Sequence, residues 1–308
     1  MNQRRTRLAP SPTGALHLGN AFSFLVNWAI ARQSGWELLF RMEDLNGPRN
    51  KLETITQSVE ILTWLGIDWD GDVILQSEGL HHSHAALETL IQKDLAYHCE
   101  LSRREIVEVT AAPHHLSEHT IPTRPLNIQK HNQEKIPTTT NWRFVATVGE
   151  ADVTDTYWPE STQTVNEDFV IWTKENSPAY QLAVVVDDHR QGVTDVIRGN
   201  DLYHSAALQS QLYKALGWDE PTWVHLPLIL GADKKRLAKR HGDSRIETYK
   251  SRGVPQEKII GLVAKWSGIQ EINEPMNLSA FCKNLSLQAM KKENKIFSAE
   301  DEQWLLDS

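Results

Sequence analysis

Two hydrophobic periods alternate along residues 1–90. Thr6 to Ala9 fits a short strand, and the loop Pro10-Ser-Pro-Thr-Gly14 follows it. From Ala15 to Gln33, Leu18, Ala21, Phe22, Leu25 and Trp28 return on one face, so the spacing predicts a helix with Gly35 as its stop. Leu38 to Met42 is a compact apolar run suited to a buried strand. Lys51 to Leu65 resumes the helical period and closes at Gly66, and Gly79 to Leu95 predicts another amphipathic helix.

The pattern changes between about 97 and 165. This stretch is rich in His, Thr and Pro, and periodicity is weak from 107 to 141, which predicts an inserted, loop-rich module. Regular structure returns near 168. Tyr180 to Val186, with its Val184-Val185-Val186 run, predicts a buried parallel strand. Val193 to Ile197 and His225 to Leu230 predict two more strands, with a helix over Ser205 to Leu216 ended by Gly217. Beyond 243 the chain reads as mostly helical, most clearly from Gln256 to Trp266. Alternating strands and helices on both sides of an insertion predict an α/β fold: a doubly wound, Rossmann-like parallel sheet split by a loop-rich α+β module, with a small helical C-terminal region. The expected segments are 1–96, 97–167, 168–242 and 243–308.

Composition narrows the function classes. A chain of 308 residues is one large domain or two to three small ones. The formal net charge of −8 excludes attachment to nucleic acid by bulk charge, though not by a local basic patch. Two cysteines, Cys99 and Cys282, support neither a disulfide framework nor a four-thiolate zinc site. No apolar run approaches the length of a membrane span, and Pro10, Pro12 and Gly14 interrupt the place where a signal peptide would need its apolar stretch. A cytoplasmic protein without membrane contact is expected.

Two constellations carry chemistry. In Arg7-Leu-Ala-Pro-Ser-Pro-Thr-Gly-Ala-Leu-His17-Leu-Gly19-Asn20, a strand runs through a Pro/Gly loop into a helix N-terminus, whose unpaired N–H groups suit phosphate. Gly19 would let a nucleotide approach the backbone, and His17 can donate to phosphate oxygens. Taken alone, these residues read equally as a capping loop. The second is Arg236-Leu-Ala-Lys239-Arg240-His241-Gly242. From 234 to 252, eight basic residues face two acidic ones, a local net of +6. Such a loop suits a triphosphate and its departing pyrophosphate, or is a solvated basic surface.

Together the two resemble the paired signatures of class I aminoacyl-tRNA synthetases. His17-Leu-Gly19-Asn20 stands at the "HIGH" position and Arg236-Leu-Ala238-Lys239-Arg240 at the "KMSKS" position. The loop Ala9-Pro-Ser-Pro-Thr-Gly-Ala-Leu-His-Leu-Gly is similar to the glutamyl type. So are Arg41-Met-Glu43-Asp44-Leu-Asn46-Gly-Pro-Arg49 and the stretch from Ala179 through Asp187-Asp188-His189 to Arg198-Gly-Asn-Asp201. The resemblance covers about residues 4–250. Only about 60 residues follow Arg245, and the wording of the segment after Tyr180 also leans the same way. Both resemble the family's truncated paralogues, the glutamyl-queuosine tRNA(Asp) synthetases.

That resemblance implies a monomeric enzyme that activates L-glutamate with ATP and Mg²⁺, without RNA, and attaches glutamate to the queuosine base of tRNA(Asp). By matching positions, Glu43 would hold the substrate ammonium, and Arg7 and Arg198 its carboxylates. Tyr180 and Ser11 would add hydroxyl contacts. His17, Gly19, Asn20, Arg236 and Lys239 would bind ATP, with His17 and Lys239 acting on phosphate and pyrophosphate. Arg103, Arg104 and Arg124 are candidate RNA contacts. Glutamate activation for a carrier or a conventional tRNA end remains an alternative, as does a catalytically silent binding module. The family's zinc ligands are largely replaced. Cys99 remains, Leu101 stands at the second cysteine, and His115 and His119 lie near the later pair. A Cys99, His115, His119 remnant site is chemically feasible; a zinc-free insert with exposed histidines is the expectation.

Overall fold

The computed structural model describes residues 3–11, 15–45, 51–101, 124–134, 139–159, 162–235, 237 and 244–307. The first strand β1, Arg5–Leu8, runs parallel to β2, Glu37–Met42, with Arg5 opposite Glu37 and Leu8 opposite Phe40. Between them lies α1, Leu18–Ser34, which buries Leu18, Phe22, Leu25 and Trp28 and stops at Gly35 in the left-handed region, φ +67°. Helix α2, Lys51–Trp64, leads to β3, Ile74–Leu75, parallel to the end of β2. A 3₁₀ turn over Gln76–Gly79 opens α3, Leu80–Gln92.

The chain then leaves the parallel sheet. Strand β4, Ala96–Cys99, pairs antiparallel with β5, Asn141–Phe144, after the short helix α4, Ile128–Asn132. A hairpin of β6, Gly149–Asp152, and β7, Thr162–Val165, follows. Strands β8, Phe169–Thr173, and β9, Ser177–Pro178, complete a four-stranded antiparallel sheet with β5 and β4. Buried Asp168 ties this module together. It accepts from Tyr97 Oη (2.9 Å), Ala146 N–H (2.8 Å) and Arg124 Nε (2.9 Å). Arg124, expected on RNA phosphate, therefore faces an internal carboxylate; a buried anion needs a cation more than a surface loop does.

Tyr180–Val186 corrects the strand expectation: the chain forms helix α5, Tyr180–Arg190. Leu182 through Asp188 are all buried, and the helix packs against α3 and β8. A helix covered on most sides has no polar face, so three consecutive valines mimic a buried strand. Strand β10, Asp195–Gly199, lies beside β1, joined where Thr194 N–H donates to Arg5 C=O (2.9 Å). Helix α6, Tyr203–Leu216, which also packs on α5, ends on Gly217 at φ +75°. The strand expected over His225–Leu230 divides into β11, Thr222–Leu226, and β12, Ile229–Leu230. Pro227, between them, has no N–H to give a ladder. β11 runs parallel to β10, with His225 opposite Arg198.

The remaining chain is helical, as its periodicity predicts: α7, Ile246–Ser251; α8, Gln256–Trp266; α9, Leu278–Asn284; and α10, Ala299–Leu306. A two-residue strand, β13, Lys295–Ile296, pairs parallel with β12. One core joins α1, β1 and β2 to α8 and α9. A second lies among α3, α5, α6 and the antiparallel module. Among the described residues no helix is long and apolar enough to cross a membrane.

Candidate active site

A cleft of about 460 Å³ opens where β1 and β10 end and α1 begins. Ligands of open α/β sheets collect at such strand ends. Arg7, Ser11, His17, Gly19, Asn20, Glu43, Tyr180 and Arg198 all line it. The sequence places these residues in four separate segments, and the fold brings them to one cavity. Arg236 and Lys239 lie outside the described residues.

The nucleotide-like end is built on the start of α1. His17 is the N-cap: its Nδ1 accepts from Gly19 N–H (3.1 Å), and Asn20 Oδ1 accepts from His17 N–H (3.0 Å). An accepting Nδ1 places the ring proton on Nε2, the nitrogen able to donate outward. Gly19 has a different reason from the one its sequence suggests. A Cβ there would meet the His17 ring at 3.0 Å, so the missing side chain makes room for the imidazole first. Asn20 likewise spends its side-chain oxygen on the cap.

The basic loop starts and returns at this end. Before it, Gly231 N–H donates to Lys235 C=O (2.8 Å), and buried Leu237 donates to Ile229 C=O (3.4 Å). After it, Leu18 N–H donates to Ser244 C=O and Ile246 N–H to Leu16 C=O. The chain after the second signature is thus bonded to the segment that carries the first, and Leu237 to Ile229, which lines the same cleft.

Behind the cavity floor lies a charged cluster. Fully buried Arg41 contacts Asp188 Oδ1 (2.6 Å), Gln191 Oε1 (3.0 Å) and Glu43 Oε1 (3.4 Å), with Asp187 at 3.9 Å. Arg7 Nε donates to the same Asp188 oxygen (3.0 Å). Burial pushes the Asp188 carboxyl up, but Arg41 and Arg7 outweigh it and hold it below the usual carboxylate range. Burial also raises Glu43, and there the two arginines offset only part of the effect. Glu43 thus borders the cavity as a carboxylate whose charge has little water around it.

Arg198 is held differently. Its Nε donates to His225 Nε2 (3.0 Å), one terminal nitrogen to Gln209 Oε1 (2.9 Å), the other to Leu202 C=O (3.2 Å). Its guanidinium stacks 4.6 Å over the Trp223 ring. Every one of these partners is neutral. Burial depresses its pKa, the opposite of Arg41, which its carboxylates raise against burial. Tyr180, the first residue of α5, is also raised by burial and so carries its phenolic proton.

Sequence reasoning passed over Arg41, Asp188, Gln209, His225 and Asp155 as individual residues. The adjacent Asp187-Asp188 pair inside an apolar run was the available signal for one of them, because buried carboxylates need partners. Nothing local marks Asp155 or His225.

The remnant metal site is not assembled among the described residues. Cys99 is buried at the end of β4, while His115 and His119 lie outside the described residues. Among the described residues no group of three or more His, Cys, Asp or Glu side chains is placed to hold a metal ion.

Comparison with known proteins agrees with this geometry. Residues 3–304 match the family of class I tRNA synthetases (E and Q), catalytic domain. A glutamyl-Q tRNA(Asp) synthetase of Rhodopirellula baltica is 39% identical over 285 residues, covering 87% of this chain and 86% of that protein. A glutamate–tRNA ligase 1 of Methylobacterium radiotolerans is 39% identical over 253 residues, covering 80% of this chain. The chain spans about half the length of that ligase, 53%. The crystal structure of a glutamate tRNA ligase from Elizabethkingia meningosepticum, in complex with its amino acid, superposes with a TM-score of 0.78 at 26% identity, over 99% of this chain and 69% of that one. With its Rossmann-like parallel sheet, the first signature segment lining the cleft at the strand ends and this match over nearly its whole length, the chain belongs to the class I tRNA synthetases of the glutamyl and glutaminyl type, a family of ligases.

Proposed function

We propose that this chain activates L-glutamate with ATP in the absence of RNA and transfers it to the queuosine base of tRNA(Asp). The observation that carries the amino-acid assignment is the pairing of two cavity-lining arginines, Arg7 and Arg198, with the carboxylate of Glu43. A ligand that satisfies all three needs two anionic groups and one cationic group, which is the charge pattern of glutamate. Tyr180 and Ser11 supply hydroxyls to the same ligand. The queuosine assignment is supported by the glutamyl-Q tRNA(Asp) synthetase that matches along most of both chains.

Activation is an in-line attack of the α-carboxylate oxygen on the α-phosphorus of ATP, with pyrophosphate leaving. No protein nucleophile is required, so positioning and charge stabilisation carry the rate. His17 Nε2–H and the start of α1 hold phosphate oxygens, Arg236 assists, and Lys239 stabilises the charge that develops on pyrophosphate. Mg²⁺ enters with ATP as part of the substrate. The mixed anhydride then passes its glutamyl group to the base, and AMP departs.

The test is transfer of labelled glutamate to tRNA(Asp) with and without queuosine. Label on the queuosine-containing form alone, stable to removal of the 3′ end, is the expected result. Label at the 3′ end would instead establish a conventional glutamyl acceptor, and no transfer to either form would refute the acceptor assignment.

A further inference from the structure

We propose that Asp155 and His225 are positioning residues that present Arg198 to a substrate carboxylate. The proposal rests on the reading that glutamate is the amino acid activated in this cleft.

Both side chains are fully buried. Asp155 Oδ2 accepts from His225 Nδ1 (2.6 Å) and from His225 N–H (3.1 Å). Its Oδ1 accepts from Tyr157 N–H and Trp158 N–H, each at 2.7 Å. Four donors thus fix this carboxylate in place, and both its oxygens act as acceptors. Because Asp155 can only accept, the imidazole proton must sit on Nδ1. Nε2 is then a lone pair, and it receives the Nε–H of Arg198 at 3.0 Å. Burial depresses His225 to about 4, so the ring stays neutral across the working range and the lone pair persists.

The consequence falls on Arg198. A guanidinium has five N–H donors. Three are taken, by His225, Gln209 and Leu202, which leaves one N–H on each terminal nitrogen of a group that lines the cavity. Two such donors form the fork that grips a carboxylate. Among the described residues no carboxylate stands within ion-pair distance of Arg198, so its charge is left for a ligand. A carboxylate in place of His225 would quench that charge, and a protonated imidazole would repel it. A neutral ring, locked in one tautomer by an anion on its far side, orients the fork without neutralising it. Asp155 arrives from the antiparallel module, where its bridge to Trp223 joins the module to β11.

The test is glutamate-dependent ATP–pyrophosphate exchange by the full chain and by His225→Phe, His225→Gln and Asp155→Asn, each with a melting curve. In His225→Phe we expect KM for glutamate to rise about tenfold or more while KM for ATP stays within about twofold. His225→Gln can accept from Arg198 through Oε1 and donate to Asp155 through Nε2, and should recover most of the loss. Asp155→Asn should raise the glutamate KM in the same direction, because an amide cannot satisfy four donors and releases the tautomer. If His225→Phe does not fold, Asp155→Asn carries the comparison. A folded variant with an unchanged glutamate KM, or equal rises in both KM values, would overturn the proposal. Absence of glutamate-dependent exchange in the wild-type chain would overturn the underlying reading, and the proposal with it; that outcome is distinguishable because it appears before any substitution.

Discussion

Two buried arginines stand on the strands that flank β1, and their surroundings are opposite. Arg41, on β2, is surrounded by Asp188, Glu43 and Asp187. Arg198, on β10, is surrounded by an imidazole, an amide, a peptide carbonyl and an indole face. Burying an unpaired charge is costly, so a chain selected for stability alone would compensate both. Only Arg41 is compensated. The difference separates scaffold from site: Arg41 and Asp188 hold the floor of the cleft, and Arg198 keeps an unspent charge for what enters it. Arg7 stands between the two: its Nε donates to Asp188, and the residue also lines the cavity.

The largest effect is expected from a third cation, Lys239, for which we propose a role on the departing pyrophosphate. Lys239→Ala should cut glutamate-dependent exchange by about two to three orders of magnitude, read as kcat, with stability unchanged. A near-wild-type rate would remove the assignment of this loop to pyrophosphate. Next, Arg41→Met and Arg198→Met should give opposite signatures in urea unfolding and exchange. Arg41→Met leaves buried carboxylates short of a partner and should cost ~3–5 kcal/mol of stability. Arg198→Met removes an uncompensated charge and should stay within ~1 kcal/mol of wild type, while KM for glutamate rises by about a hundredfold. If Arg198→Met unfolds the protein as readily as Arg41→Met, the contrast between them fails.

Acid titration sharpens the same comparison. His225 lies near 4 in the folded chain and near 6.5 when unfolded, so the unfolded state binds the extra proton between those values. Its contribution is complete above about 6.5 and declines by ~3 kcal/mol as pH falls to about 4. Asp188 acts in the same direction but lower: its folded value is depressed, so its stabilisation is present above the unfolded value near 3.9 and is lost as pH falls through the folded one. Melting curves of His225→Gln should therefore flatten between pH 6.5 and 4 while keeping the steeper loss below it. An unchanged upper limb would contradict a neutral His225. The smallest effect is expected at the rim. Asn294 Oδ1 accepts from Leu228 N–H (2.9 Å), next to β12 in the cavity lining. Asn294→Ala exposes that N–H to water and should change stability by only about 0.5 kcal/mol and KM for ATP by about twofold.

Much of the scaffold is legible in the sequence because its signals are local. Gly35 and Gly217 stop helices that an apolar stripe starts, and Leu38–Met42 is a strand by its unbroken apolar run. The α5 segment is not legible by that route, because a helix buried on most sides loses its period and three valines weight the reading toward a strand. The cavity-lining residues are legible only as strings: Arg7, His17, Glu43, Tyr180 and Arg198 stand in segments far apart in sequence and meet through the fold. The Asp155–His225 contact spans 70 residues, from the inserted module to β11, with no periodicity or motif to announce it. Gly19 shows a subtler loss. The sequence indicates that a side chain is unwelcome there, but only the packing shows that His17 is the neighbour it makes room for.

The central claim is that Arg7 and Arg198, the second without a carboxylate partner among the described residues, together select an amino acid with two carboxylates in this cleft. The direct measurement is ATP–pyrophosphate exchange by the purified chain without RNA, comparing glutamate with glutamine at equal concentrations. Glutamine offers one carboxylate and leaves a buried guanidinium fork unmatched, so exchange with glutamate should exceed it by about a hundredfold or more in kcat/KM. Equal exchange with the two amino acids, or none with glutamate until RNA is added, would contradict the account.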